Sequence, residues 1–172
     1  MKATVVVGNP KPRSRTRQVA EALVDRLVRQ PCDVQVIDLA EHIHEIFDWP
    51  SDSMASLNAR VAESDLAVFA SPTYKATYTG LLKAFLDRYP AGGLSGVTAI
   101  PVLTGADQTH SLGADVHLAP LLMELGATIP GRGWYFVMSS MDQLEKLAQE
   151  AAERYAWAIA RTAQLRAGVE PA

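Results

Sequence analysis

At 172 residues, 48% hydrophobic and 20% charged, the chain has the length for one domain with a substantial core and the balance of a globular protein rather than a disordered one. Its formal net charge of −3 argues against a nucleic-acid partner, which needs a concentrated basic face, and the short cluster "RSRTR" does not supply one. No apolar run reaches the roughly 20 residues of a membrane helix, "MKATVVVGNP" is too short in its apolar part for a signal peptide, and the lone Cys32 has no internal disulfide partner, so a single domain over residues 1–172 in the reducing cytoplasm is expected.

The β-branched run "ATVVVG" from Ala3 predicts a strand buried on both faces. In "TRQVAEALVDRLVRQ", Val19, Leu23 and Leu27 share one helical stripe with charges opposite, and "DVQVIDLA" reads as a second strand. Strand, helix and strand in such short order form a βαβ unit with parallel strands. "EHIHEIFDWPSDS" is a loop, in which His42 and His44 have a spacing that suits no helix-borne metal pair; no metal site is expected. Pro50 and Ser51 lead into the helix "MASLNARVAESD". "LAVFAS" is the third strand and "TGLLKAFLDRY" the next helix, with Gly80 expected to let that helix approach another backbone closely. After the turn-rich "AGGLSG" comes the strand "VTAIPVLTG", where Pro101 predicts a bulge or a shortened strand. Leu112 to Leu125 has a helical pattern, "TIPGRGWYFVM" holds a fifth strand, and Met141 to Arg166 forms a long terminal helix. Trp49, Trp134 and Trp157 are read as packing groups. Five strands alternating with helices predict an α/β fold, an open five-stranded parallel sheet with helices on both faces.

In such sheets ligands bind beyond the carboxyl ends of the strands, where strand order reverses. Three loops gather there, "GNPKPRSRT", "SPTYKATYTG" and "TGADQTHSLG". The first carries Asn9, Lys11, Arg13, Ser14, Arg15 and Thr16 directly before a helix, whose free N–H groups and partial positive charge suit a phosphate. Ser14 and Thr16 fit a plain helix cap equally well, and Lys11 and Arg15 a solvated surface. Neither GxGxxG nor GxxxxGK[ST] is present, which argues against the usual dinucleotide and nucleoside-triphosphate sites. In the second loop Pro72 stiffens the backbone, while Thr73 and Tyr74 offer a hydroxyl and an aromatic face to a planar heterocycle. Tyr78 reads equally as a core or interface aromatic. Asp107 and His110 stand in the third loop, within reach of a ligand there.

Together, "GNPKPRSRT", "SPTYKATYTGLLKAFLD" and "LTGADQTHSLGADVHLAPLLMELGA" resemble the NADPH-dependent FMN reductase family of flavodoxin-like flavoproteins over nearly the whole chain. The resemblance is strongest to the reductases that supply reduced FMN to two-component alkanesulfonate monooxygenases. It implies FMN held by its phosphate at Ser14, Arg15 and Thr16, with the isoalloxazine against Pro72, Thr73, Tyr74 and Lys75 and its far edge near Thr104 and Gly105. Asn9, Lys11 and His110 complete the expected site. The resemblance also implies a homodimer or homotetramer, with Tyr78 and the Leu81 to Leu86 face at a subunit interface. In the sulfonate-system reductases an inserted aromatic can produce a π-bulge, and Val116 and His117 fall at that place. Asn9 stands where many relatives have Ser, and Ala106 where many have Gly.

NADPH or NADH would pass hydride to the flavin, so no catalytic acid or base is expected, and backbone amides near Thr104 and Gly105 are placed to stabilise charge on the reduced ring. The expected activity is an NAD(P)H-dependent FMN reductase, with a flavin-dependent monooxygenase as a partner. Two alternatives stand beside it: an FMN-containing quinone or azo reductase, and a flavodoxin-like electron carrier without enzymatic activity.

Overall fold

The structure, a computed structural model, describes residues 1–28 and 31–166. Five parallel strands, β1 (Lys2–Val7), β2 (Asp33–Asp38), β3 (Leu66–Pro72), β4 (Thr98–Gly105) and β5 (Trp134–Val137), form one sheet in the order β2-β1-β3-β4-β5. This is the flavodoxin-like order, with its switch point between β1 and β3. The helices are α1 (Arg15–Leu27), α2 (Asp52–Ala62), α3 (Gly80–Leu86), α4 (Ala119–Glu124) and α5 (Leu144–Arg166). No helix among the described residues is long and apolar enough to cross a membrane.

Side chains alternate across the sheet with period two, so each strand feeds two cores. Val5, Val7, Val68, Ala70, Ile100, Val102, Trp134 and Phe136 face α1 and α5, whose Ala148, Ala151 and Ala152 are small enough for close helix packing. Val6, Ala67, Phe69, Ala99 and Leu103 face α2, α3 and α4 through Met54, Val61, Leu82, Phe85 and Leu122. Burial on both faces explains the unbroken apolar runs of β1 and β3, and each buried Val, Leu or Phe contributes about 1.5–3 kcal/mol. Hydroxyls start three helices: Ser14, Ser51 and Thr79 accept the N–H of Arg17, Met54 and Leu82.

Several expectations need correction. Pro101 neither bulges nor shortens β4, which keeps its register with β3 as Phe69 pairs with Pro101. Ala99 donates its N–H outward to Thr128, and two residues on, the Pro101 nitrogen faces the same edge. Pairing with β5 begins only at Val102, so the missing N–H costs no ladder bond. Gly80 makes no close approach among the described residues, since a Cβ there meets nothing within 4 Å; it is at Gly8 that this helix comes close, where a Cβ would lie 2.5 Å from Leu82 Cβ. Trp134 packs edge-on against Phe136 at 5.6 Å, but Trp49 and Trp157 are exposed, with the Arg88 guanidinium 4.2 Å from the Trp49 ring.

The "EHIHE" loop begins as a 3-10 turn over Leu39–His42, and His42 bonds Glu45 at 2.9 Å. A second 3-10 segment, Met138–Gln143, precedes α5. The expected last residues of the first helix, Arg29 and Gln30, lie outside the described residues. Between Leu112 and Leu125 the helix is not uniform. Ala114–Leu118 is a π turn in which Ala119 donates to the Ala114 carbonyl, and Val116 and His117 lie within it. Asp115 holds this turn by accepting the Gly133 N–H at 2.6 Å and pairing with Arg132 at 3.1 Å. The absence of a Cβ at Gly133 leaves room for Ala114.

Candidate active site

The ends of β1, β3, β4 and β5 open into a cleft of about 620 Å³, in the range of about 300–1,000 Å³ usual for small-molecule sites. Its first wall is the loop after β1. Asn9 Oδ1 accepts the Lys11 N–H at 2.9 Å, while Asn9 Nδ2 donates to Thr16 Oγ1 at 3.1 Å. Arg13 adopts a left-handed backbone (φ 51°), and its N–H donates to Asp38 Oδ2 at 2.9 Å. Asp38, only 3% exposed, also accepts the Ala40 N–H at 3.3 Å and lies 3.6 Å from the Arg17 guanidinium. The carboxylate thus sits behind the loop and shapes it, leaving the side chains of Lys11, Arg13 and Arg15 exposed.

The second wall follows β3. Thr73 donates its N–H to the Thr104 carbonyl at 2.7 Å, so the loop is an extension of the sheet. Ser71 Oγ accepts the Thr79 N–H and donates to the Pro72 carbonyl, both at 2.9 Å. Thr79 Oγ1 in turn donates to the Gly8 carbonyl at 2.5 Å, which fastens the second loop to the first. Tyr74 and Thr77 exchange backbone bonds of 2.9 and 3.3 Å around Lys75 and Ala76, whose φ values are 52° and 72°. Two positive-φ residues make this a type I′ turn built without Asn or Gly, a strained choice that presents Tyr74 52% exposed at the mouth.

The third wall is the end of β4. Thr104 is 2% exposed, and its hydroxyl meets that of Thr16, also 2% exposed, at 2.9 Å. Gly105 has no room for a side chain, because a Cβ there would overlap the Tyr135 hydroxyl. Beyond it Asp107 accepts from Thr109, hydrogen bonds that hold its carboxyl below the ordinary range.

Of the residues expected from sequence, Asn9, Lys11, Ser14, Arg15, Thr16, Pro72, Thr73, Tyr74, Thr104 and Gly105 line the cleft. Lys75 and His110 do not: the turn carries Lys75 to the surface, and His110 is exposed within the third loop but outside the cleft lining. Arg13 and Ala106 belong to loops already singled out, whereas Gln18 and Met138 were missed. A signal for Met138 existed, since the fifth strand must end on the same side as the others. Gln18 follows from one helical turn beyond Ser14.

The chemistry of the lining is one-sided. Lys11, Arg13 and Arg15 face the opening, and no acid among the described residues lines it, although the chain as a whole carries a net −3. Thr73 Oγ1 is buried without a hydrogen-bond partner, a condition it shares among the described residues only with Asn58 Oδ1. A buried hydroxyl in a cleft wall without a partner is the mark of a place where a ligand supplies one. The cleft therefore suits an anion at its β1 side joined to a polar, flat group at its β3 side.

Residues 1–142 match the family described as NADPH-dependent FMN reductase. The chain belongs to that family. Similar proteins include the NADH-dependent FMN reductase SfnF of Pseudomonas putida, 29% identical over 83% of this chain and 81% of its own length. An FMN reductase (NADPH) of Pseudomonas aeruginosa is 28% identical over 97% of this chain and 93% of its own. Among solved structures, the apo form of the NADH:FMN oxidoreductase EMOB superposes with a TM-score of 0.80 at 28% identity, over 91% of this chain and 88% of that one. As a member of this family the chain is an NAD(P)H-dependent oxidoreductase that uses FMN. The residues present fit that cofactor: three cations and a helix N-terminus suit the phosphate, and the unpartnered Thr73 hydroxyl suits a polar edge of the ring system.

Proposed function

We propose that the cleft binds FMN with its phosphate at the start of α1 and its ring system along Pro72, Thr73 and Tyr74, and that the protein reduces it with NADPH or NADH. Lys11, Arg13 and Arg15 draw the phosphate in, and Ser14 and Thr16 complete its setting. FMN, when bound, supplies the hydride-accepting chemistry. The protein's part is to hold the flavin, leave its open face to the nicotinamide, and present backbone amides near Thr104 and Gly105. No side-chain acid or base is required of the chain.

The observation that supports this reading is that every charged residue lining the cleft, among the described residues, is a cation, in a chain with a net charge of −3. The reduced flavin then passes to a flavin-dependent monooxygenase, as the likeness to reductases of two-component sulfonate systems implies. A homo-oligomer fits the exposed Leu112, Val116 and Met123 beside the π turn, apolar groups that a partner subunit would cover.

The test is a spectrophotometric titration of the purified protein with FMN under anaerobic conditions, followed by NADPH and then NADH. Bleaching of the flavin band at catalytic protein concentration supports the reductase. Binding without bleaching would replace it with an electron carrier. Flavin that stays with the protein through gel filtration and passes electrons to quinones or azo dyes would favour the alternative reductase.

A further inference from the structure

Lys75 stands just outside the cleft lining, yet its surroundings set it apart from an ordinary surface lysine. Lys2, Lys83 and Lys146 each pair with a carboxylate, those of Glu63, Asp87 and Glu150, whereas Lys11 and Lys75, the other lysines of the chain, pair with no acid among the described residues. Both flank the cleft, Lys11 on its β1 side and Lys75 directly after Tyr74 on its β3 side. The backbone of Lys75 is held at a φ of 52°, followed by Ala76 at 72°, in a turn that Asn-Gly would form without strain. The third loop braces this turn, since a Cβ on Gly113 would lie 3.4 Å from the Ala76 carbonyl oxygen. Asp107, the acid of the third loop, is turned onto its own backbone and accepts the Thr109 N–H at 2.8 Å. A costly backbone that fixes an unpaired charge at the mouth of a cleft points to a functional role for that charge.

The phosphate of FMN does not require Lys75. A phosphomonoester carries about two negative charges at neutral pH, and Lys11, Arg13 and Arg15 already surround its place at the start of α1. From that end the proposed flavin runs to a ring along Pro72, Thr73 and Tyr74, so a nicotinamide stacked on the ring has its own pyrophosphate one ribose away, on the β3 side of the opening. We propose that Lys75 anchors the pyrophosphate of the nicotinamide dinucleotide, the part that NADH and NADPH share. An ammonium is a point charge on a flexible stem, which suits a phosphate that must be both captured and released. This inference rests on the proposed FMN site and adds a second anion subsite across the opening from the first.

The test loads the protein with FMN and titrates it with tetrahydro-NADH and tetrahydro-NADPH, which cannot give up hydride, reading the perturbed flavin absorbance as binding without turnover. Lys75→Asn removes the charge but keeps a residue that tolerates the left-handed backbone. It is expected to weaken both analogues by roughly 3- to 15-fold and to leave the FMN dissociation constant, measured by fluorescence, within about 2-fold. Lys75→Arg should stay within about 3-fold of wild type for both analogues. In turnover, kcat/KM for NADH should fall in Lys75→Asn relative to that for reduced N-benzylnicotinamide, a hydride donor without ribose or phosphate. Unchanged analogue binding in Lys75→Asn would overturn the proposal, and so would equal losses with NADH and the benzyl donor, which would make Lys75 a support of the turn. A loss confined to the NADPH analogue would also overturn it, by moving the contact to the 2′-phosphate. A wild-type protein that binds FMN but neither analogue would overturn this inference alone; one that binds no FMN would remove the flavin site as well.

Discussion

Replacing Asp38 with Ala should destabilise the protein although the carboxylate does not line the cleft. The side chain is almost fully buried and accepts two backbone N–H groups, from Arg13 at 2.9 Å and Ala40 at 3.3 Å. Hydrogen bonds to a charged group are worth about 1.5–3 kcal/mol each. Both sites are only partly buried and water recovers some of the loss, so about 2–4 kcal/mol is expected for Asp38→Ala. The Arg17 guanidinium adds little at 3.6 Å, because its Nε is bonded to Glu21 at 2.8 Å, the contact that chiefly raises the Arg17 pKa. Asp38→Asn keeps an oxygen for one N–H but turns an amide donor toward the other, and should cost roughly half as much. Against a total stability of about 5–15 kcal/mol these are large effects. Urea unfolding should show midpoints ordered wild type, Asn, Ala, with an unchanged m-value. An Asp38→Ala protein within about 0.5 kcal/mol of wild type would refute the claim that this carboxylate holds the loop. FMN affinity should fall in parallel, because the left-handed Arg13 has no other anchor for its N–H among the described residues.

Ala76→Gly should relieve the strained turn, where a left-handed Ala costs about 1 kcal/mol, and raise Tm by about 2–4 °C; a lower Tm would show that the turn is not strained. Arg15→Ala should weaken FMN binding by roughly 1.5–3 kcal/mol, about 10- to 150-fold by fluorescence titration, and an unchanged affinity would remove Arg15 from the site. Alkaline pH should destabilise the fold through Tyr155, whose pKa is pushed up by burial while its hydroxyl donates to the Arg132 carbonyl at 2.6 Å. A raised pKa means that the unfolded chain releases the proton first, so this contribution is complete below about pH 10 and is lost as pH rises toward the folded pKa, at up to about 1.4 kcal/mol per pH unit. Tyr89, also raised by burial, adds to the trend, and Tyr155→Phe should flatten the pH profile of urea midpoints above pH 10.

Much of the molecule could be read along the chain because the relevant forces are local. β-branched runs bounded by turns made β1, β3 and β4 legible, and the helical stripe of Val19 and Leu23 made α1 legible. Parallel strands that need crossover helices put every loop of interest at one end of the sheet, so three loops sufficed to locate the cleft. The cation-rich loop before α1 lies in one continuous stretch, and its phosphate chemistry needs no tertiary contact to be recognised.

The remainder depended on neighbours distant in sequence. Gly80 and Gly8 look alike in a string, yet only Gly8 meets another element, because α3 folds back onto the end of β1. Pro101 is tolerated since its nitrogen faces a gap before β5 begins, which no local pattern reveals. Lys75 follows Tyr74 directly but leaves the cleft, as a two-residue turn with positive φ reverses the chain between them and the rest of the loop. Met138 enters from just beyond the last strand, and the Thr16–Thr104 bond joins the start of α1 to the end of β4, 88 residues apart in the sequence. Periodicity and loop chemistry are properties of neighbouring residues, and so a single chain displays them; hydrogen-bond pairing, steric room and strand edges belong to pairs of segments, and exist only once the sheet has brought those segments together.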